Sequence, residues 1–150
     1  MLKRNVFLNI SPLDHRYYLS NREVFDSLEL YLSETAAIRY CIRVEIALLK
    51  SRLEDDTLKS EVDALEEKIT PEEVYREEER TRHNVRALVN VMKRKVPQEV
   101  KHLVHLGATS ADILDTAASL RYKDAVRNVI LPLLCDVEQK LIEISEREAE

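Results

Sequence analysis

A single glycine in 150 residues constrains this chain more than any other feature. Tight hairpins, bulges and left-handed turns draw on glycine, because it alone takes positive φ without steric cost. With one glycine and four prolines there is little material for β-hairpins or long loops, so the predicted fold class is all-α. The glycine, Gly107, lies inside His102-Leu-Val-His-Leu-Gly-Ala-Thr-Ser-Ala-Asp-Ile-Leu-Asp-Thr116. Thr109, Ser110 and Asp112 follow it as helix-starting residues. Thr109 at the N-cap puts Asp112 at N3, close to a capping box with Asp in place of Glu. A turn feeding such a start leaves backbone N–H groups and the positive end of a helix dipole free to hold an anion. The same residues also suit an ordinary capped helix with no ligand.

The remaining elements follow from apolar periodicity. Asn21 can cap a long helix over about 22–53, in which Val24, Leu28, Tyr31, Ile38, Ile42, Leu49 and Leu53 keep a 3.6-residue period. Asp55-Asp56-Thr57 breaks it and caps a short helix to about Ile69. Thr70-Pro71-Glu72-Glu73 is a clear start, with cap, proline at N1 and acid at N3, for a helix running to about Lys95. Arg82, His83 and Asn84 fall in its middle, ahead of the stripe Val85, Leu88, Val89 and Met92. Pro97 opens a short helix to His105. The last helix runs from about Ser110 onward, some 40 residues or ~60 Å, with Pro132 expected to kink it. Its apolar face (Val126, Ile130, Leu133, Val137, Leu141, Ile144) outreaches a 150-residue globule of radius of gyration ~15 Å. The expectation is therefore that this helix belongs to a larger bundle.

Composition narrows the classes of function. A net charge of −5 gives no reason to expect nucleic acid or an anionic membrane as partner. No apolar run approaches a transmembrane span, and the N-terminal apolar stretch is too short for a signal peptide. Cys41 and Cys135 sit in helical patterns, far from CxxC spacing, and read as reduced, packed thiols of a cytoplasmic protein. Ser11-Pro12-Leu13-Asp14-His15-Arg16-Tyr17 offers turn chemistry and then a cationic–aromatic pair. A guanidinium fork there suits phosphate or carboxylate, or simply a surface acid.

Metal and nucleotide-loop chemistries find no support. A ferritin-like di-metal site needs Glu-x-x-His on two helices; only Glu99/His102 has that spacing, on a short segment between Pro97 and Gly107, and Glu79/His83 misses the register by one. His102 and His105 lack a third zinc ligand at a suitable spacing. A chain with one glycine cannot build a P-loop, nucleophile elbow or dinucleotide fingerprint. No cofactor is expected.

Three separated stretches, Ser-Pro-Leu-Asp-His-Arg-Tyr at 11–17, Arg-Thr-Arg-His-Asn-Val at 80–85 and His-Leu-Gly-Ala-Thr-Ser-Ala-Asp-Ile-Leu-Asp-Thr at 105–116, together resemble the N-terminal part of adenylosuccinate lyases, of the fumarase/aspartase superfamily. The resemblance spans nearly the whole chain but only about the first third of a typical member. It implies an N-terminal helical domain over 1–108 and the first long helix of a central bundle over 109–150. It implies that Arg16 and Tyr17 contact a nucleotide phosphate, that Arg82, His83 and Asn84 line the substrate pocket, and that Thr109 and Ser110 bind substrate at a helix start. Asn84 stands where the family usually has Asp, and His15 where glycine is common. The implied reaction is β-elimination of fumarate from adenylosuccinate, or from the related succinyl-carboxamide ribonucleotide, in purine nucleotide biosynthesis. A serine takes the Cβ proton and a histidine protonates the leaving nitrogen. Those two groups belong to a Thr-His-Gly segment and a Ser-Ser-x-Met-Pro loop that these residues do not contain. By resemblance the ligands are adenylosuccinate, AMP and fumarate, the assembly is a homotetramer with sites shared among three subunits, and the isolated 150 residues are inactive. The alternatives are a non-catalytic helical interaction module on the same scaffold and a carboxylate-bridged metal protein.

Overall fold

The computed structural model describes residues 5–11 and 17–149, and every regular element among them is helical. Single 3₁₀ turns at Val6–Leu8 and Tyr18–Ser20 precede the helices α1 (Arg22–Leu32), α2 (Glu34–Lys50), α3 (Asp56–Asp63), α4 (Leu65–Lys68), α5 (Pro71–Thr81) and α6 (Asn84–Lys95). A 3₁₀ segment at Gln98–Leu103 leads to α7 (Ser110–Ala125), a wide turn at Val126–Ile130 and α8 (Leu131–Glu148). No helix among the described residues is long and apolar enough to cross a membrane.

The expected helix over 22–53 is broken at Ser33. Its backbone is extended (φ −68°, ψ 167°) and its hydroxyl accepts from the Ala36 N–H at 3.1 Å, which caps α2. The carbonyls left at the end of α1 are filled from far away. Arg121 of α7 donates to Tyr31, Leu32 and Ser33 oxygens at 2.8, 2.9 and 3.3 Å. Asn21 does not cap α1; its amide donates instead to the Tyr17 carbonyl at 3.0 Å. The other expected starts hold. Asp55 accepts from the Thr57 and Leu58 amides, and Thr70 and Glu73 form the reciprocal capping box of α5.

A second break, at Arg82–His83, turns the expected helix over 71–95 into the antiparallel hairpin α5–α6. A straight helix of that length would run ~37 Å and carry Val85–Met92 away from the core. Folded back, α6 buries Val85, Ala87, Leu88, Val89, Val91 and Met92. Glu77 ties the two arms together, paired with Arg80 on its own helix and with Asn90 (2.8 Å) and Arg94 (3.1 Å) on α6. These charge-assisted bonds, Arg80 first, hold the Glu77 carboxyl down at about 2.

α2 is the axis of the core. Tyr40, Ile42, Ile46 and Leu49 pack with Val62 and Leu65 of α3 and α4, the α6 stripe, and Ile113 and Ala117 of α7. Tyr40 donates to Asp124 at 2.7 Å, and burial with that contact pushes its hydroxyl up to about 12. Past Val129 the packing ends. No residue of α8 is buried, and Leu134, Val137 and Leu141 are 57%, 55% and 62% exposed. Cys41 is buried as expected, but Cys135 stands exposed on α8, so only one of the two thiols is packed. Pro132 sits in the first turn of α8. The wide turn just before it, where the Leu131 N–H reaches back to Val126, makes room for a ring that would otherwise press on the carbonyl four residues earlier.

Candidate functional site

Only three described residues have positive φ: Arg82 (53°), His105 (63°) and Gly107 (75°). All three lie in the two motif stretches at 80–85 and 105–116. A left-handed L-residue costs about 1–2 kcal/mol. Such strain survives where the surroundings enforce it, and it gathers at functional sites.

At the hairpin tip, α5 ends on Arg82, whose N–H closes the last turn on the Glu78 carbonyl at 2.7 Å. His83 is extended and caps α6 with its ring, as Nδ1 accepts from the Arg86 N–H at 3.3 Å. Thr81 donates its hydroxyl to the His83 carbonyl at 3.0 Å, and Asn84 Oδ1 accepts from the Val85 N–H at 2.7 Å. All three candidate side chains are exposed. Among the described residues none pairs with the Arg82 guanidinium, which leaves it free for an anion.

The second cluster is the start of α7. The chain turns through His105 and Gly107, and the Thr109 N–H is taken by the Asp112 carboxylate at 2.8 Å, the arm of the capping box that the spacing predicted. The remaining first-turn amides and the Thr109 and Ser110 hydroxyls are what an anion could use there. Two residues of α2 and its exit grip this turn. Glu45 Oε1 is 2.6 Å from His105 Nδ1, and Arg52 Nη2 donates to the Leu106 carbonyl at 2.8 Å.

Asn84 and α7 meet at a cavity of about 80 Å³ between α2, α5, α6 and α7. It is lined by Asn84, Leu114 (one turn past Ser110), Cys41, Leu88, Tyr75 and Glu34 among others. Burial and the Glu34 contact raise the Tyr75 hydroxyl above its ordinary value, and burial pushes the Cys41 thiol up to about 11. Both are therefore neutral near pH 7. Of the candidate site residues only Asn84 lines this cavity; Arg82, His83, Thr109 and Ser110 are not among its lining residues. Tyr17, 47% exposed at the entry to α1, does not line this cavity. Arg16 lies outside the described residues. Neither Glu45 nor Arg52 stands out from the motifs or the apolar periodicity of the sequence. The signal they do carry is a carboxylate seven residues before an arginine on the face that carries Ile38, Ile42 and Leu49.

Curated adenylosuccinate lyases match about four-fifths of this chain at close to 30% identity, as a fragment of that family would. The protein of Archaeoglobus fulgidus is 33% identical over 123 residues, covering 79% of this chain and 26% of its own length. That of Legionella pneumophila (strain Corby) is 32% identical over 148 residues, covering 85% and 31%. That of Dictyostelium discoideum is 30% identical over 154 residues, covering 87% and 32%. The chain thus spans less than a third of the length of these relatives. No protein-family model and no solved structure matches it.

Proposed function

We infer that this chain is the substrate-gripping portion of an adenylosuccinate lyase, supplying anion and pocket contacts to a β-elimination whose acid and base come from segments outside these residues. The observation that carries the reading is the coincidence of strain and motif. Besides its glycine, the chain bends its backbone out of the ordinary regions at Arg82 and His105, inside the stretches that resemble the lyases. The substrate class suits the residues. A succinyl-substituted nucleotide carries carboxylates and a phosphate. Arg16 and Tyr17 offer a cation and a hydroxyl to the phosphate, and Thr109 and Ser110 offer hydroxyls beside a helix N-terminus. Arg82 adds a guanidinium with no partner among the described residues, His83 a ring held by its capping bond, and Asn84 an amide able to donate and accept. The reaction would break the Cβ–H and C–N bonds of the succinyl arm and release fumarate.

The exposed stripe on α8 supports a companion reading. Leu134, Val137, Leu141 and their neighbours make a continuous apolar face, and such faces mark association surfaces. This suits a bundle strut over 109–150, set on a helical domain over 1–108, in a homotetramer. The same stripe is what a non-catalytic interaction module would need, so the decisive test is chemical. Fumarate release from adenylosuccinate is measured for the protein encoded by the longest reading frame containing this chain. Release is expected there and not from residues 1–150 alone. His83→Ala or Ser110→Ala is expected to lower kcat/KM by roughly 10- to 100-fold, the worth of one hydrogen bond to a charged group, with helical content unchanged. A folded full-length product that releases no fumarate overturns the reading in favour of the interaction module.

A further inference from the structure

Glu45 is out of place in the core. It is 0% exposed, on the inward face of α2 among Ile42, Ile46 and Leu49. A buried carboxylate is costly unless all its lone pairs find donors. Here one oxygen does: Oε1 meets His105 Nδ1 at 2.6 Å, while Oε2 is buried with no partner among the described residues. An aliphatic side chain would fill the position at lower cost, so packing does not account for the residue.

What it touches does. His105 is held at φ +63°, a conformation that a non-glycine residue keeps only under constraint, and Glu45 is its buried partner. Two helical turns beyond Glu45 on the same face, Arg52 fastens the next carbonyl, that of Leu106. Gly107 follows at φ +75°, where an added Cβ would lie 3.2 Å from that same Arg52 nitrogen. One face of α2 and its exit thus grip two consecutive residues of the turn and crowd the third.

We propose that Glu45, seconded by Arg52, is the positioning residue of the α7 start, holding His105 left-handed and so setting where the Gly107 turn delivers Thr109 and Ser110. Only the use made of the turn rests on the lyase reading; that Glu45 sets the turn concerns the backbone and needs no substrate. With Nδ1 committed to Glu45, the ring's orientation is fixed and Nε2 is the one nitrogen open to another partner. The charged and titratable groups facing Glu45 are His105 from the turn, Lys93 from α6 and Cys41 from its own helix. Burial raises the Glu45 carboxyl, while His105 and Lys93 pull it back. Protonating the Glu45 carboxyl would weaken its hold on His105, and the backbone that it holds follows.

The test has two arms. In the first, backbone amide shifts of Leu106–Ser110 in the 150-residue chain are followed from about pH 4 to pH 8, upward from the ordinary carboxylate value, the direction in which burial raises the Glu45 carboxyl. Glu45→Met, which keeps the volume, is expected to move these amide shifts and change their pH profile while amides of α3 and α5 keep their shifts. Should that variant fail to fold, Glu45→Gln takes its place. Arg52→Ala, at an exposed residue, is expected to move the Gly107 and Ala108 amides without changing that pH profile. An unchanged pH profile in the folded Glu45 variant overturns the proposal. In the second arm, Glu45→Met in the full-length product is expected to lower kcat/KM for fumarate release at least tenfold and to displace its pH profile. Full activity despite a displaced turn overturns the positioning role. If the unmutated product releases no fumarate while the turn still answers to Glu45, the lyase reading fails and the hold on the turn stands.

Discussion

Replacing Arg82 with glycine separates what the fold needs at the hairpin tip from what a ligand needs there. Arg82 closes α5 in the left-handed region at φ 53°, at a cost of about 1–2 kcal/mol for an L-residue. Glycine removes that cost but adds about 0.5–1 kcal/mol of unfolded-chain entropy, so Arg82→Gly gains roughly 0.5–1 kcal/mol from the backbone. Arg82→Ala keeps the strain and removes the same side chain. Both variants lose the favourable placement of a cation at a helix C-terminus, about 0.3–1 kcal/mol, and that loss cancels in the comparison. Among the described residues the guanidinium pairs with nothing, so no other difference enters. The glycine variant is therefore expected to be more stable than the alanine variant by about 0.5–1 kcal/mol, or about 1–4 °C in melting temperature for a chain of this size. Urea and thermal unfolding followed by circular dichroism read this directly. In the full-length protein both variants should lose substrate use alike. Equal stability, or alanine above glycine, would mean that the left-handed residue is not strained and would remove the structural argument for a ligand site at the tip.

Two more expectations concern the turn and the hairpin. Gly107→Ala places a Cβ in left-handed backbone 3.2 Å from the Arg52 guanidinium, which is flexible and can yield. The loss should then be the same net backbone difference of about 0.5–1 kcal/mol, seen as a melting temperature lowered by about 1–4 °C, and a variant as stable as its parent would contradict it. Glu77 gives the pH dependence its sign. Its folded carboxyl sits at about 2 against about 4.3 unfolded, so its contribution is fully present above pH ~4.3 and fades as pH falls toward 2. The urea midpoint of the parent should thus exceed that of Glu77→Gln near pH 6, with the gap closing on acidification. A gap that stays constant with pH would show that the Arg80, Asn90 and Arg94 contacts do not favour the charged form.

Where the amino-acid sequence could be read, the partners were close along the chain. Thr70 with Glu73, Asp55 with Thr57 and Leu58, and Thr109 with Asp112 are all within three residues, and each start was recognised from spacing. Where it misled, the deciding partner was remote. The break at Ser33 depends on Arg121, 88 residues on, and the left-handed His105 on Glu45, 60 residues back. At Arg82–His83 no glycine or proline marks the turn, and helix propensity carries straight through it. Only the need to lay the Val85–Met92 stripe on the same core as α5 folds the chain back. The candidate site inherits both kinds of legibility. Its residues could be named, because Thr109 and Ser110 announce a helix start and Arg82-His83-Asn84 belongs to a recognisable stretch. Its geometry could not, because the two turns that present those residues break local rules and are enforced from across the fold. A chain selected only for stability would have placed glycine at both strained positions. This one spent its single glycine at 107 and kept arginine and histidine at 82 and 105, which argues that those two side chains are wanted for more than folding.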